Sequence, residues 1–343
     1  MAFTIIQPDD QVVSSEIVVS PAWSNNTFTL TNFYTSSAQE SGSTGKFYLN
    51  VYQTASSSVD AVTQFSIAFG NINGSGSRYF NQAVTSSAPT KDIYGQWRAL
   101  ILGDENSKFT FGYTSGSDNI AVISVARSRY KQSFNPGSLT LTLSDGVSTY
   151  ISLTDNSQTQ TSATFINSTQ YYTLVSGSQG SVYSDSGTVS GSYGYVFPDL
   201  GTIILNPNAL ALPTASGGIN APWVLTSNTV EPSPFYNNNN RVLFRALTTG
   251  SSRAFSLQAS EVLSSNYIFC RAKNAQNNYT SNPTIIDTDG NLIFNQLIYS
   301  PVTYITTVGL YNDSNELLAV AKLSKPLQKD FTKESLIRVK LDY

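Results

Sequence analysis

Carboxylates are the residues of this 343-residue chain with the most plausible enzymatic chemistry. Glycoside hydrolysis needs two carboxyl groups and no histidine, and the chain has adjacent acidic pairs at Asp9–Asp10 and Asp104–Glu105. Both pairs stand beside residues typical of turns or strand ends, and neither has a recognisable partner elsewhere in the sequence. Solvated turns are the simpler interpretation, so we expect no catalytic residue and no enzymatic activity.

The residue types that are missing exclude most other catalytic and metal chemistry. The chain has no histidine, which removes the usual general base, the imidazole metal ligand and every Ser-His or Cys-His site. Cys270 is the single cysteine, so neither an internal disulfide nor a zinc site built from several thiolates can form. Its neighbours Tyr267–Phe269 indicate a strand in which the thiol acts as a small buried apolar group. We expect no cofactor and no metal ion.

Two loops are similar to known ligand-binding loops but lack decisive residues. The segment Gly42–Phe47 is similar to a phosphate-binding loop, yet Phe47 stands where that loop needs Ser or Thr. The segment Asp287–Asn291 is similar to a calcium loop, but Leu292 and Ile298 occupy the positions of its glycine and its bidentate glutamate. A tight turn is the better interpretation of the second loop.

The composition indicates a folded protein whose surface is polar without many ions. Charged residues make up only 12% of the chain. Aromatic residues make up another 12%, and they supply too much apolar surface for a disordered chain. A net charge of -3 gives no long-range attraction to nucleic acid or to anionic membranes. Lys and Arg outnumber Asp and Glu from Lys322 to Tyr343, which predicts a solvated basic face or a contact with an acidic neighbouring subunit.

Targeting signals are not recognisable in the sequence. The first residues, Met1–Ile6, lack the basic flank and apolar core of a secretion signal. No stretch approaches the roughly 18 apolar residues of a membrane span. We expect a chain that folds in a cytoplasm and has neither a membrane nor a nucleic acid as partner.

The pattern of side chains predicts a mainly β fold of antiparallel, sandwich-like or barrel-like sheets. In Leu139–Leu143 leucine and threonine alternate, as in a strand with one face on a core. Turn signals such as Pro136–Gly137 separate short runs rich in aromatic and β-branched residues. Further strands are predicted at Ser15–Val19, Thr27–Leu30, Lys46–Tyr52, Gln64–Gly70, Lys108–Phe111, Ile120–Val125 and Gly201–Leu205.

Short helices complete the prediction for the first part of the chain. Asp92–Leu102 follows a proline and has helical spacing, and Asn208–Leu212 fits a single helical turn. Arg253–Leu263 also has helical spacing.

Composition divides the chain into three segments. Residues 1–205 are predicted to form a β-sandwich domain, residues 206–240 an irregular Pro/Asn-rich linker or insertion, and residues 241–343 a second β region with a C-terminal hairpin and a basic tail. Turns are expected at Asp287–Gly290 and Asn312–Asn315. The last segment has candidate strands at Val242–Arg245, Thr284–Asp287, Leu292–Asn295, Val302–Tyr311, Leu317–Leu323 and Ser335–Leu341.

Several phrases of the sequence carry a resemblance to a known class of proteins. They are Phe47–Tyr52, Gln64–Gly70 with Gly74–Ser77, Ile93–Arg98, Ala126–Lys131, Pro136–Leu141 and Tyr195–Gly201. These phrases and their spacing resemble virion structural proteins of large contractile-tailed bacteriophages, in particular T-even-like phages of cyanobacteria. The resemblance covers most of the chain outside the Pro/Asn-rich segment.

A second resemblance lies near the C-terminus. Tyr304–Ala321 resembles a hairpin found in tail-fibre and baseplate proteins of many phages, with Asn315 where a glycine is frequent. Asn tolerates the left-handed conformation that such a turn requires. Neither resemblance implies a catalytic residue, because those families are assembly components.

The resemblances imply a non-enzymatic structural protein of the virion, in the tail or baseplate, whose partners are other virion subunits or further copies of itself. The alternatives are a head, neck or collar component, or a module that binds or degrades host glycans. A groove lined by Trp23, Trp97 or Trp223 beside paired carboxylates would favour a glycan module. The expected contact residues are Arg127, Arg129, Tyr130, Lys131, Ile305, Val308, Leu310, Tyr311, Arg338, Lys340 and Tyr343.

Overall fold

The computed structural model describes residues 4–35, 48–74, 89–145, 150–223, 239–249, 253–278 and 283–342. The segment Gly42–Phe47 and the C-terminal Tyr343 lie outside the described residues. Within them the fold is mainly β, with antiparallel, curled sheets that include a half-barrel, and this confirms the predicted fold class.

The described strands are, in chain order, β1 (Gln11–Pro21), β2 (Thr29–Leu30), β3 (Tyr34–Thr35), β4 (Leu49–Tyr52), β5 (Thr63–Asn71), β6 (Asn119–Val125), β7 (Ser133–Phe134), β8 (Thr140–Ser144), β9 (Tyr150–Asp155), β10 (Thr164–Ile166), β11 (Thr169–Ser178), β12 (Ser181–Ser184), β13 (Gly194–Phe197), β14 (Thr202–Leu205), β15 (Phe255–Ser256), β16 (Gln258–Ala272), β17 (Thr303–Tyr311), β18 (Leu317–Lys329) and β19 (Ser335–Asp342). The described helices are α1 (Pro89–Leu102), α2 (Arg127–Tyr130), α3 (Pro207–Leu210), α4 (Asn239–Thr248) and α5 (Gln296–Tyr299).

The chain forms two compact units. The larger comprises Val18–Glu261, and the smaller combines Met1–Ile17 with Val262–Tyr343, so the boundaries fall inside β1 and β16. These bounds differ from the three segments expected from composition. The described part of the expected linker, 206–223, belongs to the larger unit, because its apolar side chains are buried in the core of that unit. They are Ala209, Leu210, Ile219 and Ala221.

The larger unit is built on a long antiparallel sheet that is buried on both faces at its centre. Its strands follow the order β2-β15-β8-β9-β11-β13-β14-β6-β5-β4-β3. In β6, Ala121 and Ile123 point into the main core, whereas Ile120 and Val122 point into a second core on the other face. This double burial explains why the strand is a nearly continuous apolar run.

Helix α1 covers the second core and confirms the helix predicted at Asp92–Leu102. The hydroxyl group of Tyr94 donates a hydrogen bond to the Ser117 carbonyl oxygen at 2.8 Å. Burial of the ring raises the pKa of this phenol to about 12, so it stays a neutral donor. Gly70 lets the helix approach the sheet, since a Cβ atom there would lie 2.8 Å from the Tyr94 backbone nitrogen.

Two predictions that distinguished helix from strand were wrong. Val242–Arg245, expected as a strand, lies in α4, where Val242, Leu243, Ala246 and Leu247 form one buried helical face. A four-residue window was too short to reveal that spacing.

The second error concerns Arg253–Leu263, which was expected to be helical. The structure has β15 and the start of β16 there, with Phe255, Leu257 and Ala259 all buried. These alternate residues meet the core at the period of a strand, and Phe255 pairs with Leu30 and Leu141. Tertiary pairing selected the period-2 pattern over the helical one.

Three predicted strands are absent from the described residues. Lys108–Phe111 forms only an isolated bridge, and Thr284–Asp287 and Leu292–Asn295 are joined by a single bridge between Ile286 and Leu292. Short apolar runs without neighbouring strands to complete a ladder do not persist as strands.

Both predicted turns are confirmed. The Asp287 carboxylate accepts hydrogen bonds from the backbone N–H groups of Asp289 and Asn291 at 3.0 and 2.8 Å. In the second turn the Asn312 side chain accepts from the Glu316 N–H at 2.8 Å, and Asn315 takes a left-handed φ of 60°. Helix α3 likewise confirms the helical turn expected near Asn208.

The smaller unit contains two thin layers. Strand β16 lies between β1 and β19, and β17 pairs with β18 as a hairpin. The apolar core of this unit centres on Ile268, Leu310 and Val339, with Val308 and Cys270 packed against it. Each layer therefore has one face on this core.

A buried lysine joins the end of the hairpin to the loop after β16. Lys329 is fully buried, and its ammonium group donates to the carbonyl oxygens of Asn274 and Asp330 and to the side-chain oxygen of Asn278, each at 2.9 Å. A buried ammonium group must be fully hydrogen-bonded to offset its loss of water. Lys329 therefore fixes this loop against the hairpin.

We predict that Lys329→Met lowers the free energy of unfolding by about 3 kcal/mol, because the three partly buried acceptors around the ammonium group lose a charged donor. Lys333→Met is the matched control, since Lys333 is exposed and makes only a 3.4 Å ion pair with Asp330. Its expected cost is below about 1 kcal/mol. Urea unfolding followed by circular dichroism measures both, and equal losses would contradict the prediction.

Candidate functional site

The outward side of the β16–β19 ladder carries a group of cationic and aromatic side chains. Antiparallel pairing sets Tyr267 opposite Lys340, Phe269 opposite Arg338, and Arg271 opposite Leu336. Neighbouring residues of β19 point to opposite sides of the sheet, so Leu336, Arg338 and Lys340 point outward because Val339 is buried in the core. The β16 residues paired with them lie on the same side of the sheet. We call this surface the cation–aromatic face; it comprises Tyr267, Phe269, Arg271, Leu336, Arg338 and Lys340.

Tyr267 is the centre of the cation–aromatic face. The Arg338 guanidinium carbon lies 5.4 Å from the centroid of its ring, and the Lys340 ammonium nitrogen lies 5.9 Å from it. Both distances are within the range of cation–π attraction. The ring therefore helps to hold two cations at fixed positions on an otherwise flat strand surface.

The charges of this face are only partly compensated. Lys340 is 2.9 Å from the Asp342 carboxylate, which also accepts a hydrogen bond from the Ser265 hydroxyl at 2.6 Å. The Ser265 hydrogen bond and then Lys340 lower the pKa of Asp342, while the same carboxylate raises the pKa of Lys340. Among the described residues, Arg338 and Arg271 have no carboxylate within ion-pair distance. These two guanidinium groups remain available to an acidic partner.

The hairpin of β17 and β18 presents a second outward surface, and it corrects part of the predicted contact set. Leu310 is 7% exposed, so it is not available to a partner, and the partly buried Val308 packs against the same core. Ile305 is half-buried. Tyr311 is exposed, as expected for a contact residue. The other exposed apolar residues of the hairpin are Tyr304, Leu317, Leu318 and Val320.

An open groove adjoins the start of this hairpin. It has a volume of about 600 Å³ and mostly apolar walls. Its lining residues are Phe294, Leu297, Tyr299, Ser300, Val302 and Tyr304.

The Arg127–Lys131 cluster belongs to the larger unit, and its tyrosine is structural. Tyr130 is buried against Phe134, and a Cβ atom on Gly201 would lie 2.1 Å from the Tyr130 ring. The Arg127 guanidinium carbon lies over the Tyr130 ring, 4.8 Å from the ring centroid. Tyr130 therefore anchors α2 to the turn that ends at Gly201 and is not a contact residue.

The basic residues of this cluster differ in availability. Lys131 is 2.6 Å from the Glu261 carboxylate, so its charge is paired. The side chains of Arg127 and Arg129 make only long hydrogen bonds, to the Gln132 carbonyl oxygen at 3.4 Å and to the Ser128 hydroxyl at 3.3 Å. Arg127 is exposed and Arg129 is partly exposed, and these two remain possible contact residues.

The three tryptophans do not form the aromatic groove beside paired carboxylates that would favour a glycan module. Trp23 is 2% exposed and donates a hydrogen bond to the Phe255 carbonyl oxygen at 2.9 Å. Trp223 stacks on Phe69 with ring centroids 5.7 Å apart, and Trp97 packs against the second core. All three serve the cores of the larger unit.

The acidic pair at Asp104–Glu105 is explained by turn formation. The Asp104 carboxylate accepts from the backbone N–H groups of Asn106 and Ser107 at 2.8 and 3.0 Å. The Ser107 hydroxyl and then the Asn106 N–H lower the pKa of Asp104, which favours an ionised hydrogen-bond acceptor over a proton donor at neutral pH. The other pair, Asp9–Asp10, forms part of a short 3₁₀ turn. Within the described residues there is no cluster of three or more potential metal ligands.

Comparison with known proteins adds no relative: no family model, curated protein or solved structure matches this chain. In the part of the chain that the structure describes, no helix is long and apolar enough to cross a membrane.

Cys270 has the environment of a packing residue. Its side chain contacts the core of the smaller unit and is half-buried. Burial raises the pKa of the thiol, and the nearby Asp10 carboxylate adds to the increase. The thiolate fraction at neutral pH is therefore lower than for an ordinary cysteine.

We predict that native Cys270 reacts with Ellman's reagent at pH 8 about ten times more slowly than the same thiol in the urea-unfolded chain, since both burial and the raised pKa limit the thiolate. The measurement is the pseudo-first-order rate at 412 nm. Equal rates in the native and unfolded protein would show that the thiol is accessible and that its reactivity is unperturbed, against this prediction.

Proposed function

We propose that this chain is a non-enzymatic structural protein of a tailed-bacteriophage virion, which assembles with other subunits in the tail or baseplate. The virion class comes from the two sequence resemblances. The observation that supports an assembly role is the smaller unit, whose two layers share a thin core and present the cation–aromatic face and an apolar hairpin surface to the outside.

The chemistry of these surfaces suits a permanent protein contact. Aromatic rings and arginine are enriched where protein interfaces hold most of their binding energy. Exposed apolar side chains on the hairpin are costly in water and gain from being covered by a partner. Guanidinium groups without carboxylate partners favour an acidic neighbouring subunit, whose identity would determine the exact position in the particle.

The other readings have less support from the described residues. A glycan-binding module would present aromatic rings in a groove, and a depolymerase would add two catalytic carboxylates beside it, whereas the three tryptophans are packed in cores. A head, neck or collar position would use the same kind of surface. Locating the chain in a particle distinguishes a head, neck or collar position from a tail or baseplate position.

Cryo-electron microscopy of intact virions tests the proposal directly. We expect density for this chain in the tail or baseplate, and we expect phage lacking its gene to yield incomplete or non-infectious particles. Particles that assemble intact and infectious without it would contradict the structural role. Cleavage of a bacterial polysaccharide by the purified chain would contradict the non-enzymatic assignment.

A charge reversal tests whether the cation–aromatic face makes the contact. The double variant Arg338→Glu/Lys340→Glu is expected to reduce incorporation into purified particles by about tenfold, because an acidic partner would meet like charge. Lys91→Glu/Lys273→Glu is the matched control, since it makes the same change in net charge at exposed positions outside both the cation–aromatic face and the hairpin. Quantitative mass spectrometry of particles measures both, with circular dichroism to verify folding. Equal incorporation of both variants would exclude this face as the contact.

A further inference from the structure

Strand β1 has an open edge in the smaller unit. Among the described strands its only neighbour is β16, so its other edge has no strand partner. All residues from Gln11 to Ile17 are exposed, which means that side chains on both faces of the strand lack cover. A long strand edge with unpaired backbone N–H and C=O groups is a template for pairing with another strand.

The two outer strands of this sheet are protected to different degrees. On β19 the exposed positions include Arg338, Lys340 and Asp342, and such charges discourage strand addition. On β1 the single charge is Glu16, and Val13 and Ile17 are 68% and 67% exposed. The apolar, weakly charged edge is therefore the one that would be covered by another strand.

The sequence of β1 indicates which strand could pair with its open edge. The sequence is nearly symmetric about Ser15, because Val13 corresponds to Ile17 and Val12 corresponds to Val18. Two copies paired antiparallel about Ser15 would set each Val13 opposite the partner's Ile17 on one face of the sheet. Glu16 would lie opposite Ser14 and not opposite a second Glu16. A two-fold interface requires this kind of self-complementarity.

We propose that β1 pairs with β1 of a second copy of this chain, antiparallel and centred on Ser15, to form a two-fold dimer with a continuous sheet. The dimer places four exposed apolar side chains around the central pair of serines, and the backbone groups of both edges become hydrogen-bonded. A parallel in-register pair would stack the two Glu16 carboxylates and is disfavoured. This assembly is independent of where the protein resides in a virion.

Disulfide trapping of the full chain in a Cys270→Ser background tests the register. Ser15→Cys places two thiols directly opposite each other, within the Cα separation that a disulfide needs, so oxidation with copper phenanthroline should give a covalent dimer. Val12→Cys is the matched control, because each Val12 would lie about 20 Å from its counterpart. Efficient cross-linking of Val12→Cys, or none of Ser15→Cys, would overturn the proposal.

Light scattering tests the dimer without cross-linking. The unmodified chain should have twice the monomer mass at micromolar concentration, and Val13→Lys/Ile17→Lys should weaken dimerisation at least tenfold through charge repulsion and lost apolar contact. Val189→Lys, at an equally exposed apolar position of the larger unit, should have no effect. A monomer at all concentrations, or a dimer unaffected by the double lysine variant, would overturn the proposal. If the lysine variant does not fold, the cross-linking result decides.

Discussion

The alternation of side chains along β16 and β19 is the constraint on which the smaller unit depends. Ile268 and Val339 must face the hairpin, since Leu310 and its hairpin neighbours, together with Ile6, supply the apolar cover in this core. Once those residues point inward, Tyr267, Arg338 and Lys340 point outward. A slip of one residue in the β16–β19 register would bury both cations and expose the core. The same packing thus creates the core and the cation–aromatic face.

The larger unit is stabilised by burial on both faces of its sheet. Its central strands are buried on both faces, with α1 over one core and α3 and α4 within the other. Some polar groups inside it pair with one another, as when the Gln64 amide accepts a hydrogen bond from the Ser24 backbone N–H and donates one to the Ser24 hydroxyl. Such a unit is suited to act as a rigid body, whereas the described side chains best placed for partners lie on the smaller unit.

Low charge has consequences for how these surfaces work. With only 12% charged residues, the chain has few ions to keep strand edges apart, so individual charges matter more than usual. Arg338 and Lys340 lie on an outer strand, and the opposite outer strand, β1, has Glu16 alone between Gln11 and Pro21. Contacts formed mainly by aromatic, apolar and neutral polar groups also depend weakly on salt, which would suit the virion role proposed above.

The sequence by itself determined the β class, helix α1, both polar turns and the C-terminal hairpin, because each depends on local periodicity or on residues that tolerate turn geometry. It also indicated Arg338, Lys340 and Tyr311 as exposed. Tertiary structure alone decided that Val242–Arg245 is helical, that Tyr130 and Leu310 are buried, and that both ends of the chain share one unit. These outcomes depend on pairing between residues far apart in sequence, such as Tyr267 with Lys340. Local sequence patterns do not show which distant strand completes a sheet.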